Sequence, residues 1–260
     1  MPPDEFRKRI YKKNFVDTVT LKIDYPKISN LEKTEQLEEF HKIIKKLFPS
    51  KREIRGISVE GQIDNDDFQI SKTQPNLSWE FFNKDESKKL MITQDYISIN
   101  YSKYKNFDIY FKEIKIVFDA FNRFFSIAIA KQIGLRYINL IKIETGNPLD
   151  WRDLINKNLL YMLDFNEDKI DILKNLQYFE QKISDFRMIF WSGVYNSEYP
   201  NPLSRREFVL DYDCQINDDV QFSEFYSKIE LFNETIDKWF EHSIEDGLRQ
   251  IMEEVGNAEQ

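Results

Sequence analysis

Hydrophobic and polar positions along the chain alternate in some stretches and follow a helical period in others. Over residues 16–25, Val19, Leu21 and Ile23 interleave with polar residues, which predicts a half-buried strand that ends at Pro26. Ser29-Asn30-Leu31-Glu32 has the form of a capping box. The helix it announces places Leu37, Phe40, Ile43, Ile44 and Leu47 on one face and stops at Pro49. Residues 52–101 predict a run of short antiparallel strands, over 57–63, 68–70, 77–82, 90–93 and 96–101. The turns between them fall on clusters such as Asp64-Asn65-Asp66-Asp67. A long helix follows over about 108–132, with Ile114, Val117, Phe118, Phe121, Phe125, Ala128 and Ile129 as its stripe. Ile116, Phe124 and Ile127 widen that apolar surface. Gly134 is placed to cap the helix in the left-handed conformation.

The second part of the chain predicts a strand over 135–144 and then a boundary at Thr145-Gly146-Asn147-Pro148. Two halves follow from it, 1–146 and 147–260, packed as one compact body. Asp150 is placed to cap a short helix from Trp151, and 159–163 suggests another helical turn. Strands over 173–183, 186–195 and 206–216 precede a final helix capped by Asn217 or Asp218 and running to about 255. Its apolar face reads Phe222, Phe225, Ile229, Ile236, Phe240, Ile244, Leu248 and Ile251. The order of elements predicts an α+β fold, antiparallel sheets packed by long helices, and not a doubly wound sheet. Offsetting the two long helices by 115 residues pairs Ile114 with Ile229, Phe125 with Phe240 and Ile129 with Ile244. Two readings fit: a duplicated strand-strand-strand-helix unit, or the apolar period that any two helices on sheets share.

Composition narrows the chemistry. The chain has 260 residues, 41% of them apolar and 15% aromatic, enough to bury a large core. One Cys excludes a disulfide scaffold, and two His with that Cys fall short of a Cys/His zinc site. The 7 Gly do not cluster into a phosphate loop. Cys214, in a predicted strand, is read as a small core or half-buried residue. His41 is read as an exposed helix residue and His242 lies beside Glu241, so neither marks a nucleophilic triad. Asp64–Asp67 and Asp211-Tyr212-Asp213 offer hard oxygens, but a turn and two exposed acids on one strand face explain them without metal. No metal site and no cofactor are expected. A charged start and the lack of an apolar run near the bilayer length of about 20 residues predict a soluble cytoplasmic protein, with no membrane partner.

The formal charge of -8 is uneven. Residues 1–56 hold 14 Lys/Arg against 9 Asp/Glu, whereas beyond Arg206 there are 15 acids and 3 bases. Such polarity suggests two ends that face each other or two surfaces for different partners, besides plain solvated helix faces. Lys42, Lys45, Lys46, Lys51, Arg52 and Arg55 cluster around the end of the first helix and are the candidate nucleic-acid contacts. They also suit a helix C-terminus, and the acidic whole repels a polyanion. In the strand beginning at Leu135, parity puts Tyr137 and Asn139 on one face and Arg136 on the other. Asn139 then needs partners among apolar neighbours, and the fork of Arg136 can hold a carboxylate. Arg136, Tyr137 and Asn139 are therefore the candidate ligand residues. The alternative is a buried Asn pinning a loop and an Arg paired with an internal acid.

Three stretches together resemble a sporadically distributed prokaryotic family of uncharacterised proteins. They are residues 11–23, Leu135-Arg136-Tyr137-Ile138-Asn139 after a long helix, and Phe240-Glu241-His242-Ser243-Ile244 ahead of Leu248. The resemblance covers nearly the whole chain and carries over no catalytic residue. Its patchy distribution implies an accessory gene, as in defence or toxin–immunity loci. The leading expectation is a non-catalytic component that binds a protein partner, in an oligomeric state left open. A nucleic-acid-binding module and a small-ligand protein or enzyme with a pocket near Arg136 stand as alternatives.

Overall fold

A computed structural model describes residues 9–28, 31, 34–64, 67–165 and 172–257. The elements run β1 (Arg9–Tyr11), β2 (Val16–Asp24), α1 (Thr34–Ile44), β3 (Ser50–Asp64), β4 (Asp67–Phe82), β5 (Lys88–Ile92), β6 (Tyr96–Tyr101) and α2 (Phe107–Phe125). They continue with β7 (Ile129–Ala130), β8 (Gln132–Ile143), α3 (Tyr161–Phe165), β9 (Asn175–Ile183), β10 (Phe186–Val194) and β11 (Arg206–Ile216). β12 (Val220–Gln221), α4 (Phe225–Ser243), α5 (Asp246–Met252) and β13 (Glu254–Asn257) complete the order. The fold is α+β. Among the described residues no helix is long and apolar enough to cross a membrane.

The chain splits into two compact units. One, the α2 unit, comprises Thr20–Gly134 and Asn217–Phe225; the other, the α4 unit, comprises the chain up to Val19, Leu135–Ile216 and everything from Tyr226 on. The division falls at Gly134/Leu135, ahead of the Gly146 boundary expected from turn residues, and the start of the chain joins the later elements. A local turn signal reports where the backbone bends and not which elements share a core.

In the α2 unit the strands lie in the order β3-β4-β5-β6-β2. Alternation gives them one apolar face, with Leu21, Ile23, Phe81, Leu90, Ile92, Ile97 and Ile99 buried. Leu37, Phe40 and Ile44 of α1 and Ile114, Val117, Phe118 and Phe121 of α2 are buried too, as their helical spacing predicts. Phe40 meets Phe81 and Phe121 edge-on at centroid distances of 5.6 and 6.2 Å. Each such fully buried ring stabilises the fold by about 1.5–3 kcal/mol. β3 and β4 are far longer than the short strands expected: they pair along Ser50–Asp64, while β5 joins β4 only over Trp79–Phe82. The two strands expected over 68–70 and 77–82 are one, since the β4 ladder with β3 runs on through Pro75. The predicted capping box at 29–32 lies largely outside the described residues.

α2 begins where Asn106 accepts a hydrogen bond from the Ile109 amide at 3.0 Å, and ends earlier than its apolar period suggests. Ser126 takes the left-handed conformation (φ 51°) and donates its amide to the Asn122 carbonyl. Ile129–Ala130 then pair with Val220–Gln221 as β7 and β12. Gly134 therefore caps no helix; it lies in β8. The run Ile127 to Ile133 satisfies a helical and an extended period equally well, and pairing with a distant segment of the chain decides between them.

In the α4 unit the order is β8-β11-β10-β9. Phe186, Met188, Phe190, Phe208, Leu210, Tyr212 and Cys214 turn to the α4 side and are buried. Phe186 packs on Phe232 at 5.2 Å, and Trp239 meets Phe190 at 5.6 Å and Phe179 at 5.7 Å. Gly193 of β10 has φ 150°, and a Cβ there would stand 2.0 Å from the Asn175 carbonyl oxygen. Only glycine lets β9 begin so close to β10. The helix expected from Trp151 is absent; Trp151 is a fully buried anchor that donates its indole N–H to the Pro148 carbonyl at 2.8 Å. The last helix, expected to be continuous, breaks after Ser243. Glu245 is extended and donates its amide to the Leu154 carbonyl, while Arg249 donates to the Glu241 and Ile244 carbonyls left open by the break.

Candidate functional site

Within the α4 unit, the strand face turned away from α4 carries the richest mixture of exposed aromatic and charged groups. The ladders fix its rows. Trp191 lies between Tyr178 of β9 and Asp211 of β11, Ile189 between Glu180 and Asp213, and Arg187 between Lys182 and Gln215. Tyr178 and Trp191 pack at 4.7 Å between centroids yet remain 51% and 39% exposed. Arg136 of β8 adds a bidentate fork on Asp211, Nε to Oδ1 at 2.8 Å and Nη2 to Oδ2 at 2.5 Å. The Arg136 side chain is half exposed while that of Asp211 is buried. Arg187 donates to Glu180 and to Gln215, each at 3.0 Å.

Asp211 and Asp213 share this face, as period 2 requires, but they are not the exposed pair the sequence suggested. Asp211 is 6% exposed and Asp213 half-buried. Burial is the main reason the Asp213 carboxyl is pushed up to about 6; Gln215, which donates to it at 2.5 Å, and Arg136 pull the other way, and Asp211 adds to the rise. Arg136 is held charged by Asp211. The face thus presents an aromatic pair, two guanidinium groups and a carboxyl poised near neutral pH.

The other two ligand candidates point to the opposite side. The Tyr137 hydroxyl stands 3.1 Å from Asn233 Oδ1, and the Asn233 amide donates to Asp237. Asn139 donates to the Leu210 carbonyl at 3.3 Å in the buried layer. Strand parity separated Arg136 from this pair correctly, and each of the three has a partner inside the α4 unit. A polar cleft of about 550 Å³ in the same unit is lined by Arg152, Asn156, Lys157, Asp164, Asp246 and Gly247, and takes in none of the three.

The basic candidates lie in the α2 unit and most are matched by acids. Lys42 pairs with Glu39 at 2.5 Å, Lys51 with Glu38, Arg52 with Glu80 and Arg55 with Glu53. Lys45 and Lys46 are exposed, with no ion pair among the described residues. His41 is not the exposed helix residue expected: it is 8% exposed, its Nε2 stands 2.9 Å from the Phe48 carbonyl, and its ring leans on Phe81 at 5.3 Å. Burial lowers its pKa. Helical phase explains this, since His41 follows the buried Phe40 and precedes the buried Ile44 by three. Cys214 is fully buried, and burial pushes its thiol pKa up. Among the described residues no group of three or more His, Cys, Asp or Glu side chains is placed to hold a metal ion.

The charged ends meet. β1 pairs antiparallel with β13 in the α4 unit. Arg9 contacts Glu254 at 2.9 Å and Glu241 at 3.7 Å, and Lys12 and Lys13 both contact Glu253. Tyr11 donates its hydroxyl to Glu241 at 2.6 Å. Sequence reasoning named this polarity without locating it, and it missed Trp191 and Tyr178 as surface residues. Their alternation with Phe190 and Phe179 was the available signal. No protein-family model matches the chain, and neither the curated proteins nor the solved structures contain a match to it.

Proposed function

We propose that the protein is a non-catalytic interaction component that receives a protein partner on the outer strand face of the α4 unit. The observation that carries this reading is the exposed Tyr178–Trp191 pair beside the Arg136–Asp211 fork. Trp, Tyr and Arg are enriched among the residues that dominate interface energetics, because each buries a large area while keeping a polar handle. Asp213 fits the same reading. Its carboxylate is disfavoured by burial, and a donor supplied by a partner would restore its ionised form. The charged ends are less suited to a partner, since they engage each other. The likeness of Leu135-Arg136-Tyr137-Ile138-Asn139 to a sporadically distributed prokaryotic family supports an accessory place in a defence or toxin–immunity system.

The test is co-purification from the native host at native expression, with wild type, Trp191→Ala and Lys22→Ala compared. A partner held by wild type and Lys22→Ala and lost from Trp191→Ala is the expected result. Absence of any partner, or retention by Trp191→Ala, would overturn the proposal.

A further inference from the structure

We propose that the protein self-associates through β9, two copies pairing antiparallel about a twofold axis at Gln181. β9 is the terminal strand of its sheet, so one edge of its backbone has no neighbouring strand among the described residues. Its first part is engaged on that unit: Gln177 donates to the Leu159 carbonyl at 2.8 Å, and Asn196 donates to the Leu173 carbonyl just ahead of the strand. From Tyr178 to Lys182 every residue is exposed, including Tyr178 at 51% and Phe179 at 50%. An exposed strand edge of this kind is a template for another strand.

The side chains select a second copy as the occupant and fix its register. A twofold axis perpendicular to the sheet keeps residues on their own faces, so paired positions must sum to twice the central residue. With Gln181 at the centre, Glu180 faces Lys182 of the other copy and Lys182 faces its Glu180. On the opposite face Phe179 meets Ile183, twice over. Both charge pairs are opposite in sign, and both apolar pairs lie beside the Trp239 ring that already packs on Phe179. Lys182 has no ion pair among the described residues, which leaves it available for that contact. Glu180 already accepts from Arg187 and Tyr178, so its carboxylate is held in place to receive a further cation. Charges on an edge strand usually discourage pairing. Alternating in sign at i and i+2, they instead discriminate between registers. Moving the axis to Glu180 sets the two Glu180 side chains against each other, and moving it to Lys182 does the same to the two lysines. Either slip loses both ion pairs and adds a like-charge contact.

Sedimentation equilibrium of the full chain, from micromolar to a few hundred micromolar, tests this with Lys182→Glu and Glu180→Lys. Wild type should show a monomer–dimer equilibrium. Each variant alone opposes like charges twice and should weaken dimerisation by about tenfold or more. An equimolar mixture of the two variants should restore it, since one copy then carries two acids and the other two bases at the facing positions. Far-UV circular dichroism confirms that both variants are folded. A wild type that stays monomeric, a dimer indifferent to either change, or a mixture no tighter than its components would each overturn the proposal. The partner reading is tested separately by Trp191, which lies one strand in from this edge.

Discussion

In the α2 unit the strand face turned away from the helices mixes polar, charged and aromatic side chains that contact one another, with Arg52 paired to Glu80 and lying over the Phe82 ring. Asn100 donates to Thr20 at 2.8 Å, and Lys22 contacts Asp24 at 2.8 Å and sits over the Tyr96 ring at 4.8 Å. In the α4 unit the corresponding face carries Trp191, Tyr178, Arg136, Asp211 and Asp213, with a carboxyl that burial opposes. The plans behind these faces are alike. In each unit an early strand (β2 or β8) lies beside the last strand of the meander that follows (β6 or β11), and a 19-residue helix comes next (α2 or α4). A shared plan constrains the helix-facing side, where size and period must fit. It leaves the outer side free, and there the two units differ: the α4 unit exposes the Tyr178–Trp191 pair.

Four substitutions probe this contrast. The largest effect is expected at Gly193→Ala, whose Cβ must displace the Asn175 backbone. Urea unfolding should show a loss of about 3 kcal/mol or more, and a loss below about 1 kcal/mol would mean that β9 can shift freely. Arg136→Ala leaves the buried Asp211 without its fork and should cost about 2 kcal/mol at pH 7, read by the same melts. Asp213→Asn works in the opposite direction. A carboxyl whose folded pKa is raised from its ordinary range to about 6 favours the fold while protonated, so stability should fall as pH rises from about 4 to about 6. With partial exposure taken into account, the neutral Asn should stabilise by about 1–2 kcal/mol at pH 7 and flatten that slope. A variant no more stable than wild type would show that Asp213 is well solvated. The smallest effect belongs to the α2 unit: Lys22→Ala should stay within about 0.5 kcal/mol, because its ion pair is exposed. A larger loss there would undo the distinction between the faces.

Much of the local structure was legible. β11 occupies the expected 206–216, β2 and β6 fall where alternation put them, and parity in β8 correctly set Arg136 opposite Tyr137 and Asn139. The candidate site was legible only in part. Arg136 was singled out, but Trp191 and Tyr178 were not. A strand's alternation says which residues share a face and not which face is covered. Likewise the basic residues around Lys51 and Arg52 looked like a patch until Glu38 and Glu80 were seen beside them, from 13 and 28 residues away.

Local pattern was enough for the α+β class, most strand positions and the two long amphipathic helices, because these depend on the period of neighbouring residues. Packing settled the rest: that α2 stops at Ser126, that the last helix breaks at Ser243, and that the basic start lies against the acidic end. Each of those outcomes rests on a partner far along the chain, such as Arg9 and Glu254, 245 residues apart. A run of residues fixes what a segment can form, and only the packed chain fixes what it meets.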